Sequence, residues 1–507
     1  MKSKTFRLIT ALFAALAIPA SLIAQDHPRY KLIDLGTLGG LHSYGSVNGD
    51  GFQLLNNSGV VASFADTAVP DPNAPNFCFD PDCLLAHAFR WKEGVVTDLG
   101  ALPGNNSSAA GSINARGWIT GQSQTGSFDP ILNGPGVHAV LWKHGDVTDL
   151  GSLGGGASLG IYVNNAGQVV GISDTTVPDP FSLFGIGVQL RTFLWENGAI
   201  RDIGTLGGPD ALPGASCSGQ PHDVVVGASY TSFTPNAATG IPTIDPFLWK
   251  SGKMIDLGNL GGTLSLGAQC ANRRGQIIGQ SNLAGDAMSH AFFWEDGVMT
   301  DLGTLGGNNS EAIWINKAGN VVGSADLPGS QIHDAVIWRH GKIRDLGTVT
   351  GDACSRGRGL NSRGQVVGGS SDCRNFLHAF VWEEGGAMLD LNTLIAPGSG
   401  YQLTNAFNIN DRGQILAKAD PIGVTPIDDQ DLGHLMLLIP CEGDDDEGCD
   451  ANETAANNAG LHTLVPVIRS TAPTAAQRPL TPSENVAAWR ARLAQRFHIA
   501  GLGIPTH

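Results

Sequence analysis

The chain has few charged residues and no recognisable catalytic motif. Only 15% of its 507 residues are charged, and 30 basic residues stand against 46 acidic ones, which gives a formal net charge of −16. Because phosphate binding needs a basic patch and the repeats show none, the sequence argues against nucleic acid as a partner. No C-x-x-C pair suits zinc, and no phosphate loop or nucleophile–base pair has a familiar spacing. The sequence therefore indicates no known class of enzyme.

Long apolar runs are absent after the N-terminus. Residues 1–24 combine three basic side chains with an apolar run over residues 8–18 and small residues at their end. This layout is typical of a secretory signal peptide, and the run is short for a membrane span. We predict a mature chain that begins near Gln25, is secreted or periplasmic, has no transmembrane span and is monomeric. A retained N-terminal anchor is the alternative.

Eight cysteines, an even number, suit an oxidising compartment. Two pairs flank short loops, and the other pairs lie near strands that the repeat brings together. We hypothesise four disulfides. They join Cys78 to Cys83, Cys217 to Cys270, Cys354 to Cys373, and Cys441 to Cys449.

The dominant feature of the sequence is a tandem repeat, for which residues 301–338 are the clearest unit. A unit begins with Asp-Leu-Gly or a variant, contains Asn-x-x-Gly, and ends in a Trp, whose place Leu438 takes in the last unit. The aspartates are Asp34, Asp98, Asp149, Asp202, Asp256, Asp301, Asp345 and Asp390. The Trp series is Trp91, Trp142, Trp195, Trp249, Trp294, Trp338 and Trp382, and the Asn series is Asn56, Asn114, Asn164, Asn272, Asn316, Asn361 and Asn410. The unit that starts at Asp202 lacks the Asn. We count eight units.

Each unit contains four short apolar runs separated by turn residues, which predicts four antiparallel strands, called a to d in chain order. Eight such units favour an all-β, eight-bladed β-propeller over residues 25–440, with seven blades as the alternative. The chain opens with a lone d strand at residues 30–35 and closes with a c strand at residues 435–439. We predict that these two strands pair and close the ring.

The repeated strings also resemble a known family. His-Ala-Phe-x-Trp occurs at residues 87–91, 290–294 and 378–382, together with Asp-Leu-Gly-Thr-Leu-Gly-Gly and Gly-Gln-Val-Val-Gly. Over residues 30–440 the chain resembles the HAF family of bacterial extracellular repeats. The resemblance implies secretion and a repeated β architecture, and it implies no common activity.

Functional residues are sought where the units differ. Five b-to-c connections are long, and they belong to the last unit and the first four, which a closed ring makes neighbours. Insertions on one face of a repeat array are often its binding surface. Their carboxylates and aromatics are candidates for holding a glycan, or a calcium ion with a ligand. The candidates are Asp66, Asp71, Phe77, Phe79, Asp80, Phe128, Asp129, Asp174, Asp179, Phe181, Phe184, Tyr230 and Phe233.

Two classes of function remain open. The first is a secreted, non-catalytic binding or scaffold protein that contacts a glycan or a protein through the long loops. It is preferred because no catalytic spacing is recognisable. It implies no cofactor, and calcium is the one candidate ion. The alternative is an extracellular polysaccharide hydrolase or lyase, in which loop carboxylates such as Asp71, Asp80, Asp129 and Asp179 act as acid and base. The recurrent Asp and Trp are interpreted as turn caps and packing between blades.

The chain changes character after the repeats. Residues 441–480 form an acidic cysteine loop and a linker rich in Ala, Asn, Thr and Pro. Residues 481–507 predict an amphipathic helix that begins with Thr481 as N-cap, Pro482 and a capping-box Glu484. Its apolar face is Val486, Trp489, Leu493 and Phe497. We expect this helix to dock on the propeller, and a partner or membrane-surface anchor is the alternative.

Overall fold

A computed structural model describes residues 28–45, 51–75, 78–79, 82–104, 106–215, 217, 223–423, 433–441, 449 and 481–496. The predicted signal peptide, the linker and most of the acidic loop lie outside these residues and stay predictions. So do Phe77, Asp80 and Phe497, and the side chain of Leu493 is not described either.

The described chain forms eight four-stranded antiparallel sheets, each in the order a-b-c-d. This confirms the eight-bladed β-propeller. Blades 1 to 4 comprise β2 (Gly39–Tyr44), β3 (Val61–Pro70), β4 (Leu84–Lys92), β5 (Val95–Asp98); β6 (Ser108–Ile113), β7 (Ile119–Asp129), β8 (Gly134–Lys143), β9 (Asp146–Asp149); β10 (Ser158–Val163), β11 (Val169–Pro178), β12 (Val188–Glu196), β13 (Ala199–Asp202); and β14 (Ala211–Pro213), β15 (Val224–Tyr230), β16 (Ile244–Lys250), β17 (Lys253–Asp256).

The remaining four blades follow the same pattern. They comprise β18 (Gly261–Ala271), β19 (Ile277–Leu283), β20 (Ser289–Glu295), β21 (Val298–Asp301); β22 (Ser310–Ile315), β23 (Val321–Asp326), β24 (His333–Arg339), β25 (Lys342–Asp345); β26 (Cys354–Leu360), β27 (Val366–Ser371), β28 (Phe376–Trp382), β29 (Leu389–Asp390); and β30 (Tyr401–Ile409), β31 (Ile415–Pro421), β32 (His434–Pro440) with β1 (Tyr30–Asp34). A 3-10 turn covers Leu391–Thr393, and one helix, α1, covers Pro482–Arg496.

The two ends of the propeller close the ring, as predicted. Strand β1 pairs antiparallel with β32, so that Tyr30 lies opposite Pro440 and Asp34 lies opposite Met436. Hydrogen bonds extend the pairing at both ends, from Leu35 N to Leu435 O (3.0 Å) and from Cys441 N to Arg29 O (2.9 Å). The N-terminal segment is therefore the outer strand of the last blade.

The repeated Phe and Gly fit together inside the blades. Phe193 in β12 lies directly opposite Gly171 in β11, and Phe380 in β28 lies opposite Gly368 in β27. A Cβ built at Gly368 would lie 2.9 Å from the Phe380 ring and would overlap the Arg356 carbonyl oxygen of the neighbouring a strand. The Gly therefore leaves room for the ring and for a close approach of strands a and b. The c-strand Trp side chains pack in the core, as predicted; Trp338 and Trp382 are fully buried.

The recurrent Asp caps a turn and, in four of the eight blades, binds the c-strand His. Asp301 Oδ1 accepts the Gly303 N–H at 2.8 Å, and its carboxylate lies 2.9 Å from His290 Nδ1. Burial alone would raise the pKa of Asp301, but the hydrogen bonds from His290 and Gly303 lower it below its ordinary value. The same contact between Asp34 and His434 spans the ring closure at 2.8 Å. These side chains therefore hold strand d to strand c.

The recurrent Asn forms a ladder that links adjacent blades. Asn316 Oδ1 accepts the N–H groups of Ala318 (3.0 Å) and Asn320 (3.1 Å), which closes the a-to-b turn. Asn316 Nδ2 donates to the Asn361 carbonyl of the next blade at 3.0 Å. The series of donors Asn56, Asn114, Asn272, Asn316, Asn361 and Asn410 repeats this contact, and the last of them donates to the Asn56 carbonyl. Blade 4 lacks the Asn and interrupts the ladder.

Replacing one Asn of the ladder is expected to weaken the whole ring. Asn316→Ala removes the acceptor of two turn N–H groups and leaves the buried Asn361 carbonyl without its donor, so we expect a loss of about 2–3 kcal/mol. Lys317→Ala in the same turn removes an exposed side chain and is the matched control, with a change within about 0.5 kcal/mol. Urea unfolding followed by tryptophan fluorescence measures both. Equal midpoints for the two variants would contradict the role of the ladder.

Two irregular segments enter the centre of the ring. A Cβ built at Gly51 of blade 1 would lie 3.4 Å from Ala215 in blade 4 and 3.3 Å from the Ile313 carbonyl oxygen in blade 6, across the ring. The next residue, Phe52, is buried, and its carbonyl accepts Asn408 Nδ2 of blade 8 at 3.0 Å. From blade 4, Cys217 reaches the Ile313 carbonyl with its Sγ at 3.9 Å. The segments that carry Phe52 and Cys217 therefore occupy the space inside the ring of innermost strands.

The four hypothesised disulfides are those of the structure. They join Cys78 to Cys83, Cys217 to Cys270, Cys354 to Cys373, and Cys441 to Cys449. The second ties the irregular segment of blade 4 to the a strand of blade 5. Both of its cysteines are fully buried.

Helix α1 docks on the propeller, as expected. Thr481 N donates to Glu484 Oε2 at 2.7 Å, and Glu484 N donates to Thr481 Oγ1 at 3.4 Å, so the predicted capping box is present. Trp489 is fully buried and its Nε1 donates to the Ser265 carbonyl of β18 at 3.1 Å. In the part of the chain that the structure describes, no helix has the length and apolarity needed to cross a membrane.

Candidate functional site

The b-to-c connections of blades 1 to 3 are extended hairpins rather than loops. Strands β3, β7 and β11 have 10 or 11 residues, whereas β23 and β27 of the later blades have 6. In each extended hairpin a Thr hydroxyl accepts the N–H two residues later, for example from Val177 to Thr175 at 3.2 Å. The strand register shifts at the same place in all three hairpins. This bulge changes the direction in which the hairpin leaves the blade.

The three hairpins share an Asp-Pro at the end of the bulge. Asp71, Asp129 and Asp179 each accept the N–H two residues later through Oδ1, at 2.8–2.9 Å. All three side chains are buried. The carboxylates therefore fix the hairpin tips by accepting backbone N–H groups. The sequence does not reveal these donors. The carboxylates do not form an exposed acid–base pair.

Asp66 and Asp174 hold the connection that enters their own blade. Asp66 Oδ2 accepts the His42 N–H and the Tyr44 hydroxyl, both at 3.0 Å. Asp174 Oδ1 accepts the Ala157 N–H at 2.9 Å. Burial raises the pKa of Asp174 to about 6, and the neighbouring Asp129 carboxylate adds to the rise.

The loop aromatics divide into buried and exposed sets. The prediction of an open ligand-binding ring is wrong for Phe79 and Tyr230, which are both buried. Phe79 packs edge-on to Phe64, and the Tyr230 hydroxyl donates to the Phe181 carbonyl at 2.7 Å. Phe181 and Phe184 are half-buried against the same cluster as Tyr230. Only Phe128 and Phe233, 62% and 58% exposed, present an open ring among the predicted aromatics that the structure describes.

A groove lies between the hairpins of blades 1 and 2. It encloses about 500 Å³ and is lined by Asn73, Asn106, Gln124 and Phe128, together with Pro, Gly and Ser residues. Asn106 Nδ2 donates to the Leu102 and Pro103 carbonyls, and Gln124 Oε1 accepts the Ser107 N–H at 2.9 Å. These bonds fix the amides and leave Asn106 Oδ1 and Gln124 Nε2 without a hydrogen bond to the described residues. An exposed aromatic face thus adjoins fixed amide groups, and none of the described residues that line the groove is charged.

Helix α1 occupies a different part of the same face. Val486 and Trp489 belong to one apolar cluster with Leu183 and Ile241, which lie in the b-to-c connections of blades 3 and 4. Burial raises the pKa of Tyr230, which precedes the blade 4 connection, and the positive charge of Arg490 opposes this rise. The helix therefore covers the loops of blades 3 and 4.

Comparisons with known proteins found similarity to solved structures alone. No protein-family model matches the chain, and the search of curated proteins found no match. The chain is similar to acylaminoacyl peptidase from Pyrococcus horikoshii, with 12% identity, a TM-score of 0.40, and coverage of 75% of this chain and 58% of that one. A puromycin-hydrolyzing peptidase from Mycobacterium tuberculosis shares 10% identity, with a TM-score of 0.39 and coverage of 79% and 63%.

The β-propeller domain of the Trilobed protease from Pyrococcus furiosus is another similar structure. It shares 11% identity with the chain, with a TM-score of 0.37 and coverage of 72% of this chain and 95% of that one. The chain spans less than two thirds of the length of the two peptidases above. None of these similarities assigns an activity to it.

Proposed function

We propose that this chain is an extracytoplasmic, non-catalytic β-propeller of the HAF-type repeat class that binds a neutral glycan in the groove between blades 1 and 2. The observation that carries the proposal is the exposed Phe128 ring beside the fixed amides of Asn106 and Gln124. Sugars present apolar ring faces and hydroxyl groups, which match an aromatic face and amide hydrogen-bonding groups. The described residues of the lining are uncharged, which favours a neutral sugar.

The compartment is part of the same proposal. All eight cysteines form disulfides, and structural disulfides persist in oxidising compartments. The N-terminal 24 residues have the composition of a secretory signal. Both observations support export from the cytoplasm.

The test is binding of the purified mature chain to an array of neutral polysaccharides, with the released products analysed in the same samples. We expect binding without turnover. Phe128→Ala should weaken binding about tenfold or more, because burying an aromatic side chain contributes about 1.5–3 kcal/mol and 1.4 kcal/mol corresponds to tenfold. Phe128→Trp should retain it.

Phe233→Ala provides the matched control. Phe233 is as exposed as Phe128 but belongs to the blade 4 connection, outside the groove. It should leave the affinity unchanged. Equal losses in the Phe128 and Phe233 variants would contradict the assignment of the groove, and release of product would place the chain among polysaccharide-cleaving enzymes instead.

A further inference from the structure

Two buried carboxylates meet at the seam between blades 2 and 3. Asp129 ends the long b strand of blade 2, and Asp174 lies in the b strand of blade 3. A Cβ built at Gly156 would lie 2.5 Å from Asp129 Cγ, and one built at the adjacent Gly155 would overlap the Asp174 carboxylate. The two carboxylates therefore flank the same two residues of backbone, which only glycine can supply without a clash.

Each of these carboxylates has one oxygen without a hydrogen bond. Oδ1 of Asp129 accepts the Ile131 N–H at 2.8 Å, and Oδ1 of Asp174 accepts the Ala157 N–H. Oδ2 of each is buried and has no partner among the described residues. The side chains are only 1% and 2% exposed. Burial raises the pKa of Asp174, and the negative charge of Asp129 adds to this rise. Burying two like charges with unpaired oxygens is costly unless a further group compensates them.

The neighbouring seam has the same geometry, but its carboxylate has a hydrogen bond to each oxygen. Between blades 1 and 2, Asp71 holds the hairpin position of Asp129, and its Oδ2 accepts the Phe79 N–H at 3.1 Å. The position of Asp174 is taken there by Gln124, a neutral amide whose Oε1 accepts a backbone N–H. Where the second backbone donor is present, the facing residue is neutral. Where that donor is missing, the facing residue is a second carboxylate.

A third polar side chain points to the same seam. Gln122 is buried, and neither its amide oxygen nor its nitrogen has a partner among the described residues. It lies on the face of β7 that also carries Thr120, and a Cβ built at Gly160 of blade 3 would overlap the Thr120 hydroxyl. At the equivalent position of blade 5, Gln280 donates to the Ser310 carbonyl of blade 6 at 3.1 Å. Gln122 therefore offers an unused amide oxygen towards blade 3.

We propose that the seam between blades 2 and 3 binds a calcium ion, with Asp129 Oδ2 and Asp174 Oδ2 as its charged ligands. The available ligands are oxygens, which hard cations prefer, and calcium tolerates irregular geometry better than magnesium does. The Gln122 amide oxygen and water complete the coordination. The described residues contain no cluster of three or more His, Cys, Asp or Glu suited to a metal, so two charges set the affinity. We expect a Kd on the order of 10⁻⁴–10⁻³ M, as in extracellular modules.

Binding at this seam would also fix the groove. Asp129 follows Phe128 directly, so a bridge from Asp129 to Asp174 ties the hairpin that carries the exposed ring to the next blade. This step rests on the proposed glycan function. The calcium site itself does not, because it is tested without any glycan.

The experiment is a calcium titration of the purified mature chain after treatment with EDTA. Isothermal titration calorimetry should show binding at this seam, and the Tm should rise by about 2 °C or more at a concentration roughly tenfold above Kd. Asp129→Asn and Asp174→Asn should each abolish the rise. Asp71→Asn, at the equivalent position of blade 1, is the matched control and should leave the calcium response intact.

Stability in EDTA separates loss of binding from loss of folding. Asp174→Asn should be as stable as the unaltered chain or more stable there, because it removes one of two buried like charges. If the unaltered chain shows neither heat nor a rise in Tm with calcium, the proposal is wrong. A calcium response that survives in both Asn variants places the ion elsewhere and also overturns the proposal.

Discussion

Deletion of residues 28–35 is expected to prevent the propeller from folding into a stable ring. The deletion removes β1 and the buried side chains of Tyr30 and Leu35. Burial of two large side chains contributes about 1.5–3 kcal/mol each, and the lost backbone hydrogen bonds add about 1 kcal/mol apiece. The sum approaches the entire 5–15 kcal/mol by which a typical domain is stable. Circular dichroism and size-exclusion chromatography should show an unfolded or aggregated protein at 37 °C.

A disulfide across the closure tests the same contact in the opposite direction. Lys31 lies opposite Ile439, and Lys31 is exposed, so Lys31→Cys with Ile439→Cys disturbs little of the core. The bond closes a loop of nearly the whole propeller, which should raise the unfolding midpoint under oxidising conditions only. Each single cysteine variant is the control. A deletion variant that unfolds like the intact chain, or a double variant that never cross-links, would contradict closure by β1.

The repeat could be read from the sequence because each recurrent residue has a local mechanical role. Gly171 makes room for Phe193, Asp301 caps its own turn, and Asn316 closes a two-strand connection. These requirements recur in most blades, so they repeat in the sequence. The ladder of Asn side chains was missed because its acceptors are backbone carbonyls of the next blade. The regular spacing of Asn-x-x-Gly was the signal available for it.

The site was harder to predict because its decisive contacts are not periodic. The hairpins were interpreted as long loops, yet a hydroxyl-stabilised bulge at Thr175 lets the strand continue to Pro178. Their aspartates were candidates for ligand binding or acid–base chemistry, but each of them is buried and accepts a backbone N–H group. The entry of Gly51 and Cys217 into the centre of the ring follows from no pattern. Only contacts between distant blades define it.

The loop-bearing face is divided between two surfaces. Helix α1 lies against β18 and the connections of blades 3 and 4, while Phe128 in blade 2 stays open. Because the centre of the ring holds Phe52 and Cys217, the groove is the part of this face where the candidate ligand surface remains accessible. The helix therefore defines the border of that surface and does not cover it.

Replacing Trp489 with alanine is expected to release helix α1 while the propeller stays folded. The side chain is fully buried and donates to the Ser265 carbonyl, and Trp→Ala in a core costs about 3–5 kcal/mol. A 15-residue helix is marginal without packing, so it should unfold once detached. Strand β18 keeps its pairing with β19, so the blades lose little. Hydrogen exchange should show residues 481–496 losing protection and the strands keeping theirs.

Two further variants separate the contributions of Trp489. Trp489→Phe retains most of the apolar area and loses the hydrogen bond, so it should cost only about 1–2 kcal/mol and leave the helix protected. Ala487→Ser changes an exposed position on the same helix and should have no measurable effect on docking. If the helix keeps its protection in Trp489→Ala, the buried indole does not hold it. Val486, which belongs to the same apolar cluster, would then be the anchor.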